Sequence, residues 1–191
     1  LRIGVLGIPD DVWCRSGSTG DAGMKSGLTI REDNYSVVLD ALKQLSGTDV
    51  LVGIPAGPPR DDAPLSNAEL GYLQSTGATV EIDGETVTLP PRPFLDMGIE
   101  DSRDKTTERL KLAAQSALEG KADVASMHLE VAGQIARDAS KAVIEAGDRL
   151  TPLSEKTIKK RREMKPPIPG DKPLRARGFL FRAIQYVVRK K

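Results

Sequence analysis

One cysteine, one histidine, one tryptophan and a 4% share of aromatics leave this 191-residue chain short of the side chains that do most chemistry. Cys14 alone excludes an internal disulfide framework, and such sparing use fits a reducing compartment. It has no histidine or cysteine partner in the pattern, so a nucleophilic role is not expected. His128 alone excludes a two-histidine metal site. It shares a helical stripe with Val124, Val131 and Ile135, where a core or interface histidine is the simpler reading. Gly17, Gly20, Gly23 and Gly27 are not followed by the Lys-Ser/Thr signature of a phosphate-cradling loop. Asp61-Asp62 and the Asp101/Asp104 pair read as a solvated loop and a helix N-terminus, where negative charge suits the dipole. No apolar run approaches the roughly 20 residues that span a bilayer. Ile3 to Ile8 is too short for a signal peptide and runs into Pro9-Asp-Asp11. These absences lead us to expect a soluble cytoplasmic product with no enzymatic site, cofactor, metal or membrane partner.

What is present is charge, unevenly placed. From Thr151 to Lys191 there are 13 Lys and Arg against 3 acids, a net +10; the other 150 residues carry −9, and the whole chain +1. The basic residues include Lys159, Lys160, Arg161, Arg162, Arg175 and Arg177. A basic end on an acidic body favours a polyanion or the acidic face of a neighbouring subunit. Three readings stay open: a solvated face, docking on acidic proteins, or contact with DNA phosphates. The last would be independent of sequence, since no base-reading module is visible. A hydrophobic content of 39% allows only a modest core, of the kind often completed in an oligomer.

The periodicity predicts an α+β fold: a small mixed or antiparallel sheet packed against two long helices, plus short helices. Residues 1–33 show no sustained pattern and form a separate N-terminal arm or upstream extension. Met24 reads like a natural start, so 1–23 is either foreign to the native chain or an arm that orders on a neighbour. Residues 34–191 then make a single domain. Val38, Ala41, Leu42 and Leu45 form one helical face, stopped by Gly47. Val50, Leu51, Val52 and Ile54 suit a strand covered on both faces. Pro55 to Pro64, with four prolines, is an exposed loop. Ser66 or Asn67 caps a short helix with Leu70, Tyr72 and Leu73, ending at Gly77. Thr79–Ile82 and Thr86–Leu89 form a hairpin about Asp83-Gly84, a dipeptide that accepts the positive φ of a type I′ turn. Pro90 to Pro93 cannot continue a ladder and is read as a stiff connector presenting Phe94 and Leu95 for burial. A helix starting at Asp101 or Ser102 is expected to bury Leu110, Ala113, Ala114, Ala117 and Leu118. A second is expected to bury Val124, Met127, His128, Val131, Ile135, Ala139 and Val143, with Gly133 at a tight crossing. A basic helix from Leu153 or Ser154 to Arg162, a proline loop over 165–173 and a last strand over Ala183–Arg189 complete the chain.

The order of these fragments carries a resemblance. Asn67-Ala-Glu-Leu70 through Gly77, Pro91-Arg-Pro-Phe-Leu95, two alanine-rich helices, Pro152-Leu153 with Thr157-Ile158, and Lys172-Pro-Leu174 before Ile184–Arg189 follow one another. The set resembles the head–tail joining proteins of tailed bacteriophages, also called neck, tail-completion or minor tail proteins. Where that family often has Asp-Thr-Gly-x-Leu, this chain has Arg175-Ala-Arg-Gly-Phe-Leu180. The resemblance implies a structural virion protein, assembled in the host cytoplasm as a homo-oligomeric ring, with a hexamer as the expectation. Its partners would be connector or head-closure proteins and tail terminator or tail tube proteins, with non-specific contact to viral DNA. Pro91, Arg92, Pro93, Phe94, Lys159, Lys160, Arg161, Arg162, Arg175 and Arg177 are the candidate interface. The alternative is a sequence-independent DNA-binding module that uses the basic C-terminal region.

Overall fold

The computed structural model describes residues 35–59, 64–82 and 85–191. Expectations for 1–33, and for the Asp83-Gly84 turn, lie outside the described residues. Asn34–Lys191 forms one compact α+β unit. Its described elements run α1 (Tyr35–Ser46), β1 (Thr48–Gly53), α2 (Asn67–Thr76), β2 (Ala78–Ile82), β3 (Glu85–Leu89), α3 (Phe94–Asp101), α4 (Arg103–Leu118), α5 (Ala122–Ala146), α6 (Glu155–Glu163), α7 (Phe179–Ala183) and β4 (Gln185–Lys190). The strands make two separate antiparallel pairs rather than one sheet: β1 with β4, and β2 with β3. β2 and β3 are neighbours in sequence and pair Ile82 with Glu85, whereas β1 and β4 join Thr48 to Lys190.

The long helix α5 is the axis of the unit, with α3, α4 and the β1–β4 pair packed around it. Its buried residues are Ala125, Leu129, Ala132, Gly133, Ala136, Ser140, Val143 and Ile144. This corrects the expected stripe. Val124 and Met127 are exposed, and His128, Val131, Ile135 and Ala139 are half-buried. The physical reason is distance: a helix approached from several sides must meet its neighbours with small residues. A Cβ on Gly133 would come within 2.6 Å of the Tyr186 ring and 3.0 Å of Val50. Gly133 therefore marks a crossing with the sheet. The tight helix–helix crossing is at Gly98 of α3, where a Cβ would sit 2.3 Å from the Ser140 Cα. Likewise α4 buries Ala113, Ser116 and Ala117, while Leu110 and Leu118 stay exposed.

α3 is a second correction, because the connector leads straight into a helix that the pattern did not reveal. Pro93 stands at its N-cap position and Ser102 separates it from α4. Pro suits a helix start, but Gly98 weakens the signal inside it. The main apolar cluster gathers Phe94, Val143, Ile144, Leu150, Leu180 and Ile184. A second joins Ala41 to Ala117 and Ala125, with Leu42 and Leu45 against it, as the α1 face requires. β1 is covered on one face only. Val50 and Val52 share the side that meets α5, whereas Leu51 and its partner Val187 are 44% and 48% exposed. A two-stranded ribbon has only one helix layer to hide behind.

Candidate functional site

Phe94 is taken into the core and Arg92 is drawn back from the outer surface to the wall of an inner cleft, which corrects half of the expected Pro91–Phe94 interface. Phe94 is fully buried in the main cluster. Arg92 is only 5% exposed. Its backbone N–H donates to Gln74 O at 2.8 Å, which turns the connector across the end of α2. Its Nε donates to Thr151 O at 2.7 Å, Nη2 to Pro152 O at 3.1 Å and Nη1 to Gln74 Oε1 at 3.2 Å. All three side-chain acceptors are uncharged. Pro91 remains exposed and Pro93 half-buried, and Pro91 O accepts from Thr151 Oγ1 at 3.3 Å.

The elements that meet here are built locally. Ser66 caps α2 through a reciprocal capping box: its Oγ accepts from the Glu69 N–H, and Glu69 accepts from the Ser66 N–H at 2.8 Å. The Ser66 N–H bond first, and then the Ser66 hydroxyl donating to Glu69 Oε2 at 2.8 Å, hold the Glu69 carboxyl below its ordinary value. Ser154 caps α6 more simply, its Oγ accepting from the Thr157 N–H.

Arg161 is separated from its basic neighbours. Lys159, Lys160 and Arg162 are exposed on α6, while Arg161 turns inward and its Nη1 donates to Lys172 O at 3.0 Å. Arg161 and Arg92 line one cleft of about 580 Å³ together with Ser154, Thr157, Leu70 and Leu174. Burial pushes the Arg92 guanidinium below its ordinary value, and the charge of Arg161 adds to the effect; burial acts on Arg161 in the same direction.

Arg175 and Arg177 lie elsewhere. With Lys172 and Arg182 they line a basin of about 640 Å³ beside α7, where Asp171 is the one acid among the described residues. Arg175 pairs with Glu145 at 3.1 Å and stands over the Phe181 ring, so part of its charge is already answered. The ten expected interface residues thus divide among an inner cleft (Arg92, Arg161), an outer basin (Arg175, Arg177), the exposed α6 face (Lys159, Lys160, Arg162), the buried Phe94 and the connector prolines Pro91 and Pro93. Sequence reading missed Gln74 and Thr151–Pro152 as partners of Arg92, since nothing local announces contacts 18 and 59 residues apart. Among the described residues, no cluster of three or more His, Cys, Asp or Glu side chains could hold a metal ion. No helix among them is long and apolar enough to cross a membrane. No family model, curated protein or solved structure matches the chain.

Proposed function

We propose that this chain is a structural protein of a tailed-phage or prophage virion that completes the tail and joins it to the head at the neck. It acts without catalysis, as a ring of identical copies between connector or head-closure proteins and the tail terminator or tube. One observation carries the reading. Fragments whose order suggested the family converge on Arg92: the Asn67–Gly77 helix through Gln74, Pro152 beside Leu153, and Leu174 in the same cleft. They behave as one framework, which supports treating them as a single signature. The acidic body and basic end add to it, because head-to-tail copies in a closed ring would present complementary fields. Exposed Leu51 and Val187 give a neighbour apolar area to cover.

The test is the solution mass of the full chain by light scattering, across protein concentration and with partner tail or connector proteins. A discrete ring, alone or on adding partners, is the expected result. A strict monomer indifferent to partners yet retained on duplex DNA at low salt would favour the DNA-binding alternative. That second reading draws on the exposed Lys159, Lys160 and Arg162.

A further inference from the structure

We infer that the cleft at Arg92 and Arg161 binds a carboxylate carried on an apolar group. Two guanidinium groups face one cleft, and no carboxylate is among the described residues that line it. Among the described residues, the Arg92 side chain meets only backbone and amide oxygens, and that of Arg161 only the Lys172 carbonyl. A charge sequestered this far from water normally has an anion beside it, because neutral acceptors return only part of the lost hydration. Here the second charge is another cation, so the arrangement within the chain repels where an ion pair would attract. An anion placed between them would be held by both.

The walls decide which anion. Leu70, Val87, Leu89, Leu153, Leu174 and Leu180 line the cleft beside the two cations. Such walls favour an apolar body over a small, strongly hydrated oxyanion. Gln74 and the Thr88, Ser154 and Thr157 hydroxyls are the other polar side chains among the described residues that line the same space. A carboxylate matches a guanidinium fork in shape, and the charge-assisted bonds it makes are stronger than neutral ones. The volume of about 580 Å³ exceeds what a bare carboxylate fills and suits a small apolar residue or acyl group behind it.

Two sources could supply that chemistry: a free carboxylic acid, or an acidic residue flanked by apolar ones on another protein. Calorimetric titration of the full chain at low salt with hexanoate, hexanamide, inorganic phosphate and acetyl-Leu-Glu-Leu-amide separates them. Saturable hexanoate binding is expected, with none for hexanamide and weaker binding for phosphate. Arg161→Gln should weaken hexanoate by about tenfold, one charge-assisted bond's worth. Lys105→Gln, an exposed charge on α4, should leave it unchanged. Arg161 is the residue to change because Arg92 also ties the connector to α2. An unchanged urea midpoint for Arg161→Gln would show that its fold is intact. Tighter binding of the peptide than of hexanoate assigns the site to a protein-borne carboxylate, and the reverse to a free acid. Absence of binding, equal binding of hexanamide or phosphate, or wild-type affinity in folded Arg161→Gln would overturn the inference.

Discussion

Gly98 and Gly133 sit in helices, where alanine would ordinarily stabilise by up to about 1 kcal/mol. Both should instead resist substitution, and unequally. At Gly98 the new methyl meets the Ser140 backbone, with Cα at 2.3 Å and N at 2.5 Å, so α3 and α5 would have to move apart. At Gly133 the nearest atoms belong to the Tyr186 and Val50 side chains, which can turn. We expect Gly98→Ala to cost about 1–3 kcal/mol, as overpacking does, and Gly133→Ala less, read from urea midpoints. Equal midpoints would show that the α3–α5 contact is looser than described. Phe94→Ala should cost about 3–5 kcal/mol, since its side chain is fully enclosed; a loss below about 1 kcal/mol would remove Phe94 from the core. The anchoring role of Phe94 was legible from the prolines before it. Arg92's was not, because a basic residue among prolines looks like a surface contact until its distant acceptors are known.

Elements with local causes were the readable ones. α2 and α6 carry their own caps, α1 its own apolar stripe and the β2–β3 pair its own turn dipeptide in the sequence, and their bounds came within a residue or two of expectation. The face of α5 was misread, Val143 apart, and that of α4 was right at Ala113 and Ala117 but wrong at Leu110 and Leu118, because hydrophobicity ranks Leu and Met above Ala. Close approach ranks them the other way. α7 is too short for a periodic signal, and α3 hid behind Pro93 and Gly98. The α2 cap yields a pH prediction. Glu69 titrates below its ordinary 4.5 in the folded chain, owing first to the Ser66 N–H bond. A depressed folded value means stability that is present above the unfolded value and lost as pH falls through the folded one. Asp101, lowered by its bond to Arg149, adds a loss of the same sign beneath its ordinary 3.8. Thermal unfolding from pH 6 down to pH 3 should therefore show the midpoint falling below about pH 4.5. Glu69→Gln keeps an acceptor for the cap but cannot titrate, so it should flatten part of that fall. An identical profile for the variant would mean that the cap contributes nothing.

At the scale of the whole molecule, charge and topology act together. If copies join by basic end to acidic body, added salt should dissociate the ring while leaving each unit folded. Light scattering with circular dichroism across a salt series reads both. Loss of fold together with loss of assembly would mean that the subunit needs the ring in order to stay folded. Within the unit, β1 waits for β4: Thr48 finds Lys190, and the Lys191 N–H donates to Gly47 O at 2.7 Å. During synthesis, then, a nascent chain emerging from the ribosome holds a strand with no mate until nearly every other element of the unit has left the tunnel. Helices around α5 can assemble early, but the ribbon cannot, and until it closes Leu51 has no strand beside it. Closure of the ribbon is the late step, the one that gives β1 its only partner strand among the described residues and brings together residues from opposite ends of the unit.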